Sequence, residues 1–123
     1  MRAMVLTGHG GPDKLQMQEL PDPVPKAHEV RVRVKACALN HLDLFVREGW
    51  PKLKLELPHV LGSDVAGVVD LAGAEASDLP AGTPVMVNPG VSCGACRECL
   101  SGRDNRCRGY HILGEHSRGG YAQ

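Results

Sequence analysis

Apolar and charged residues alternate most clearly over Glu29–Ala36, which reads Glu-Val-Arg-Val-Arg-Val-Lys-Ala. A period of two places apolar and charged side chains on opposite faces of an extended chain. The pattern therefore predicts a half-buried strand of an antiparallel sheet, with one face wet. Its predicted apolar face consists of Val30, Val32, Val34 and Ala36.

Four other apolar runs are bounded by segments rich in Gly and Pro and also predict strands: Ala3–Leu6, Leu15–Leu20, Val65–Leu71 and Pro84–Pro89. Short strands of this spacing, with 15 Gly and 9 Pro in the chain, favour a mainly β barrel or sandwich. The segment Gly119–Gln123 leads toward a further strand and then stops. We therefore expect the sequence to be a fragment of a longer protein.

Asn40–Gly49 predicts the clearest helix. Asn40 can serve as its N-cap, Asp43 can complete a capping box, and Gly49 provides a C-terminal stop. Read from these residues alone, Asn40 and Asp43 form a structural capping pair. The predicted apolar stripe consists of Leu42, Phe45 and Val46.

Composition narrows the functional classes. A chain of 123 residues suits one domain. The 14 Lys and Arg balance the 14 Asp and Glu, and aromatic residues make up 3%, so we expect no nucleic-acid partner. No apolar run approaches a membrane span, and the N-terminus lacks a signal-peptide pattern. We expect a cytoplasmic protein without a membrane partner.

Four of the five cysteines lie in one loop, with the spacing C-x2-C-x2-C-x7-C. Clustered thiols in a reducing compartment indicate a metal site rather than disulfides. Zn²⁺ suits four thiolates in a tetrahedron, and four protein ligands leave no open position for water. The pattern predicts one structural zinc per chain in a lobe over residues 90–109, with Cys93, Cys96, Cys99 and Cys107 as ligands.

Three other uses of these cysteines fit less well. A bacterial ferredoxin cluster would have a shorter last gap followed by Pro. A redox pair would not need four cysteines, and a zinc module for nucleic acid would be more basic and aromatic. The arginines of the loop either neutralise the zinc thiolates or form an ordinary solvated surface. Cys37, on the predicted strand, is expected to pack rather than react.

The cysteine loop, with Gly102 and Asn105, closely resembles the structural-zinc lobe of the medium-chain alcohol dehydrogenase superfamily. The resemblance implies a GroES-like N-terminal catalytic domain over residues 1–123, mainly β with short helices, forming a partly open barrel with a zinc-binding lobe. It extends over nearly the whole chain. The other agreeing stretches are Met1–Val5, Pro25–Ala36, Pro58–Val69 and Gly119–Ala122.

The chain departs from that family at the catalytic metal. Zinc alcohol dehydrogenases hold this metal with the Cys of a C-x-T/S-D motif and the His and Glu of G-H-E. Here Asn40 replaces the cysteine, Ser63 the histidine, and Leu42 the hydroxyl residue that would pass a proton. An amide oxygen and a hydroxyl are poor ligands for Zn²⁺. The comparison implies that the catalytic zinc is absent.

This combination resembles the quinone oxidoreductase and zeta-crystallin-like branch, in which A-L-N-x-x-D and P-G-S-D-x-A-G recur. The resemblance implies hydride transfer from NADPH to a quinone or enone. Without a metal, hydrogen-bond donors must meet the negative charge that develops on the carbonyl oxygen. Asn40 is the first candidate, and His41 or Ser63 the second. Asp43 and Asp64 complete the candidate catalytic set.

The family's NAD(P)H site lies on a Rossmann domain with a Gly-rich turn, and no G-x-G-x-x-G occurs here. We therefore expect this part to be inactive alone, with a small quinone, enone or carbonyl substrate and the missing Rossmann domain as its partners. Unpaired strand edges lead us to expect a homo-oligomer. Two alternatives stay open: zinc-dependent alcohol dehydrogenase activity, and a stand-alone zinc-stabilised module that binds a protein.

Three further residues are considered as members of a site. Two of them are assigned no role in one, and the role of the third is left open. His59 and His111 are expected to be ordinary surface or core residues, because the predicted metal site lacks no ligand. Trp50 either lines a substrate cleft or covers the end of the helix.

Overall fold

A computed structural model describes residues 1–123 and consists mostly of strands, with two short α-helices and two 3-10 turns. The helices are α1 (His41–Glu48) and α2 (Arg97–Leu100), and the 3-10 turns span Pro12–Lys14 and Asp104–Arg106. The strands are β1 (Arg2–Leu6), β2 (Leu15–Glu19), β3 (Val30–Ala38), β4 (His59–Val60), β5 (Asp64–Ala72), β6 (Pro84–Met86), β7 (Gly90–Val91) and β8 (His111–Ile112).

The strands form three antiparallel sheets with the orders β2-β1-β4, β3-β5-β6 and β7-β8. The predicted mainly β fold with few short helices is confirmed. The sheets are open and do not close into a barrel. No helix has both the length and the apolar character needed to cross a membrane.

The core is aliphatic and lies where β1 meets α1 and β4. One cluster consists of Leu6, Val46, Leu53 and Leu61, and the other of Ala3, Val5 and Val60. Alternate residues of a strand face opposite sides, so β1 contributes to both clusters. This packing fixes the start of α1 beside the turn that joins β4 to β5.

The end of the chain pairs with β1, on the edge that β4 leaves free. The N–H of Met4 donates to the carbonyl of Tyr121 at 2.8 Å, and the N–H of Gln123 donates to the carbonyl of Arg2 at 3.1 Å. Ala122 forms an antiparallel bridge with Ala3. The pairing brings the Tyr121 ring against both core clusters.

Three predictions about packing are wrong. The register of β3 shifts between Arg31 and Val32 and again between Val34 and Ala36, which breaks the alternation, so Ala36 is exposed. Cys37, next to the second shift, is exposed rather than packed.

The third wrong prediction concerns the apolar stripe of α1. Val46 is fully buried and Leu42 packs against the core, but the side chain of Phe45 is 57% exposed. It lies beside Trp50 in the wall of a surface cavity.

Candidate functional site

The cysteine lobe (residues 90–109) is closed at its base by the β7–β8 hairpin, in which Val91 lies opposite His111. Between these strands the chain forms only α2 and one 3-10 turn. Gly94 has φ +69°, a value that favours glycine, and it lets the chain reverse between Cys93 and Cys96. Short turns of this kind bring cysteines that are distant along the chain onto one point.

The four sulfur atoms of the lobe converge. All of them lie within 4.8 Å of one another. The Sγ atom of Cys99 lies 3.4 Å from that of Cys96 and 3.9 Å from that of Cys93, and none is in a disulfide. The N–H of Gly109 donates to Sγ of Cys107 at 3.3 Å, and this cysteine is the buried member of the group.

This donor set fits a zinc ion. Four sulfurs at about 2.3 Å from Zn²⁺ form a tetrahedron with edges of about 3.8 Å, close to the separations of 3.4 and 3.9 Å seen here. No other set of three or more Cys, His, Asp or Glu side chains comes together in this way. The predicted gathering of the four cysteines is confirmed.

The thiols perturb one another strongly. Backbone N–H groups of Ala95 and Cys96, followed by the thiols of Cys107 and Cys96, lower the pKa of Cys93 to about 6. The N–H of Cys99 lowers the pKa of Cys96, but the Cys99 thiol, burial and the other thiols outweigh it and raise that pKa to about 11. Full deprotonation of such a cluster at neutral pH needs a cation to hold the charges together.

Asn40 stands at the start of α1, and hydrogen bonds engage its side chain at both ends. Its Oδ1 accepts from the N–H of Leu42 at 3.1 Å, and its own N–H donates to Oδ2 of Asp43 at 2.8 Å, so the predicted capping box is present. Its Nδ2 donates to Oδ2 of Asp64 at 3.0 Å. An amide nitrogen carries two protons, so one N–H of this exposed residue remains free for a ligand.

Asp43 is buried and joins three parts of the chain. Its Oδ2 accepts from the N–H of Asn40 at 2.8 Å and from the hydroxyl of Tyr121 at 2.7 Å, while its Oδ1 accepts from the N–H of Gly62 at 3.1 Å. These bonds tie α1 to the β4–β5 turn and to the end of the chain. A carboxylate held by three donors inside the protein is placed to position its neighbours.

The other catalytic candidates differ in exposure. His41 is exposed, with its ring centroid 6.4 Å from that of Phe45. Asp64 is half-buried and bound to Asn40, whereas Ser63 is buried within the β4–β5 turn. The structure thus joins Asn40 and Asp64 directly, leaves His41 beside them on the surface, and buries most of Ser63 within the turn.

The donors at this position do not fit a zinc ion. The amide oxygen of Asn40 already accepts a backbone N–H, and Ser63 is buried. Only the Asp64 carboxylate remains, and it accepts from the Asn40 amide. One carboxylate is too few for a zinc centre, which takes at least three protein ligands.

Sequence reasoning missed Tyr121 and Gly62 as parts of this network. Burial, followed by the hydrogen bond to Asp43, raises the pKa of Tyr121, which keeps its hydroxyl protonated as a donor. Gly62 has φ +100°, and a Cβ atom there would lie 2.5 Å from Cδ1 of the tyrosine ring. The glycine before Ser63 was a signal for such a close approach, but nothing local pointed to Tyr121.

The remaining candidates lie apart from this network. Trp50 lines a surface cavity of about 420 Å³, together with Leu42 and Phe45. His59 is buried, with Nε2 at 3.1 Å from the carbonyl oxygen of Gly114, and burial lowers its pKa. The prediction that His59 is an ordinary core residue agrees with this placement.

Comparison with known proteins identifies a protein family that matches this chain. The model of the alcohol dehydrogenase GroES-like domain matches residues 26–123. Quinone oxidoreductase from Homo sapiens is 35% identical over 102 residues, which cover 82% of this chain and 31% of that protein.

Two solved structures are also similar. An NAD-dependent alcohol dehydrogenase is 54% identical with a TM-score of 0.93, over 99% of this chain and 36% of that one. A cobalt- and zinc-bound thermostable alcohol dehydrogenase from Pyrobaculum aerophilum is 38% identical with a TM-score of 0.90, over 99% of this chain and 37% of that one. The chain spans about a third of the length of these relatives.

Proposed function

Because the chain belongs to the alcohol dehydrogenase GroES-like domain family, we propose that it forms the N-terminal catalytic domain of an NAD(P)H-dependent oxidoreductase of the quinone or enone reductase type. In this proposal the cysteine lobe holds one structural zinc, hydride transfer proceeds without a catalytic zinc, and this domain alone is inactive. The observation that carries the proposal is the hydrogen bond of 3.0 Å between Asn40 and Asp64, at the position where the family places a metal ligand.

The chain's own residues would serve the reacting carbonyl group. The free N–H of Asn40 would donate to the carbonyl oxygen as negative charge develops there, and the exposed ring of His41 is the second donor within the same surface. Asp64 fixes the orientation of the amide through its hydrogen bond. Asp43 acts as a positioning residue, because it is buried and saturated with donors.

The residues of this chain do not fit a nicotinamide dinucleotide, since no G-x-G-x-x-G turn follows a strand and opens an α-helix. NAD(P)H, held by another part of the full-length protein, would supply the hydride. The substrates that suit two exposed donors without a metal are small quinones, enones and other carbonyl compounds.

A second candidate function is NAD-dependent alcohol oxidation. It is favoured by the 54% identity to an NAD-dependent alcohol dehydrogenase. A zinc-dependent form of this activity would require a metal at Asn40 and Ser63, where the donors do not fit one. The two candidates therefore differ in their need for a second metal ion.

The test uses the full-length protein and follows NAD(P)H oxidation with quinones and enones, and NAD(P) reduction with alcohols. The Asn40→Ser variant keeps a good N-cap but loses the amide donor, so we expect kcat with an enone to fall about 10²-fold at unchanged stability. Asn88→Ser makes the same chemical change at an exposed position outside the site and should leave kcat unaltered.

Two outcomes would overturn the proposal. One is the absence of NAD(P)H oxidation with every quinone and enone tried. The other is alcohol oxidation that depends on a second zinc ion, which would establish the second candidate instead.

A further inference from the structure

Three arginines share a cavity with the cysteine cluster. The cavity has a volume of about 440 Å³ and opens beside the sulfur atoms. Its wall includes Cys93, Cys96 and Cys107, the arginines Arg97, Arg106 and Arg108, and one carboxylate, that of Glu98. All three arginines are exposed, and none forms an ion pair with a carboxylate.

Neither acidic residue of the lobe forms an ion pair with these arginines, although Glu98 lines the same cavity. Glu98 accepts from Nε of Arg103 at 2.8 Å and is thereby paired within the lobe. Asp104 lies in the 3-10 turn Asp104–Arg106, and its carboxylate forms no ion pair. The three arginines of the cavity therefore retain an uncompensated positive charge beside the sulfurs.

A four-thiolate zinc centre requires this sign of charge. Four thiolates and one Zn²⁺ carry a net charge of −2. Between residues 93 and 108 four arginines face two carboxylates, a surplus of two positive charges. Before an ion binds, the positive charges of these arginines repel one another, and this repulsion is relieved when the four-thiolate centre forms.

We propose that Arg97, Arg106 and Arg108 are the counter-charges of the zinc thiolate centre, raising its zinc affinity through space without coordinating the ion. The inference rests on the structural zinc of the proposed function and goes beyond it by assigning a role to residues that are not ligands. Each arginine lines the cavity beside the sulfurs, and in a largely aqueous medium it should change the zinc dissociation constant about threefold to tenfold.

The test measures the zinc dissociation constant by competition with a chromophoric chelator. The variant Arg97→Gln/Arg106→Gln/Arg108→Gln should bind zinc about 10²-fold more weakly than the wild type in 0.01 M salt. In 1 M salt, where the Debye length is about 3 Å, the two should agree within about threefold. The Co²⁺ absorption spectrum should show four-thiolate coordination in both.

Two control variants separate charge from structure. Arg97→Lys/Arg106→Lys/Arg108→Lys keeps the charge and should retain wild-type affinity. Glu98→Gln/Arg103→Gln removes the ion pair of 2.8 Å without changing the net charge and should also retain it.

Equal affinity of the Gln variant and the wild type in 0.01 M salt would overturn the proposal, as would a loss that is the same at both salt concentrations. A lysine variant as weak as the glutamine variant would overturn it too. If the wild type itself binds no zinc, the structural zinc of the proposed function is wrong, and this inference is wrong with it. If the wild type binds zinc but its affinity does not change when the arginines are replaced, only this inference is wrong and the proposed function stands.

Discussion

The cysteine lobe and the hydrogen-bond network around Asp43 both bring polar side chains together, but they differ in where the partners of those side chains come from. In the lobe, four sulfurs point at one another, and Cys107 is the one buried residue among them. In the network, Asp43 is buried and meets three donors from Asn40, Gly62 and Tyr121, all within 3.1 Å. Within the chain, the lobe has no cation bound directly to its four sulfurs, whereas the network supplies every partner of the Asp43 carboxylate itself.

This difference between the lobe and the network indicates which of the two regions requires a metal ion. With the proposed zinc in place, a loop without a core of its own would gain its order from ligand bonds to the ion, so metal binding and folding of the lobe would be one event. The network adjoins the core through Tyr121. It needs no ion, because two backbone N–H groups and the Tyr121 hydroxyl donate hydrogen bonds that stabilise the buried carboxylate. The comparison yields three predictions, from the largest effect to the smallest.

Removing zinc should unfold the lobe and spare the rest. With a strong chelator, amide hydrogen exchange over residues 90–112 should accelerate about 10³-fold or more, because ligand bonds replace a core there. Amides of β1 and β2 should keep their protection. Chelation should have the same effect on Cys37→Ser, whose cysteine lies outside the lobe. Lobe amides that stay protected from hydrogen exchange without metal would contradict the prediction that the lobe depends on zinc for its order.

Removing the carboxylate of Asp43, which accepts all three hydrogen bonds of the network, should destabilise the whole domain. Asp43→Ala leaves three donors unsatisfied in the interior, so the free energy of unfolding should fall by about 3–5 kcal/mol. Tyr121→Phe removes one donor and should cost about 1–2 kcal/mol. Urea denaturation measures both, with the exposed Asp78→Ala as a control near zero. An Asp43→Ala loss no larger than that control would contradict the assigned role.

The smallest effect concerns His59, which lies in β4 outside both regions. Burial lowers its pKa in the folded chain, so below the ordinary value of about 6.5 the unfolded chain binds the proton more readily. Stability should therefore fall as pH drops through about 6.5 toward the lowered value. His59→Gln should flatten this part of the pH profile, whereas the exposed His28→Gln should not. A wild-type profile already flat from pH 7 to 5 would contradict the prediction.

The sequence predicted the parts of both regions that depend on local spacing. The C-x2-C-x2-C-x7-C pattern sufficed to predict the convergence of the four cysteines, and Asn40 with Asp43 sufficed for the capping box, because both depend on neighbours along the chain. The role of Tyr121 depends on a contact with a residue 78 positions away, which no local pattern contains.

The packing errors have a similar origin. Alternation in β3 assumes a regular ladder, and the two register shifts that expose Ala36 arise from pairing with β5. The exposure of Phe45 depends on which flank of α1 meets the core, and its stripe position alone could not decide this. In both cases, contacts between elements that are distant in the sequence determine which side chain is exposed.

Metal content tests the central claim most directly. Elemental analysis of the purified wild-type chain should find one zinc per chain, and Cys99→Ser should lose it while Asn40→Ala keeps it. A second tightly held ion that disappears in Asn40→Ala, or a wild-type chain free of metal under reducing conditions, would contradict the account.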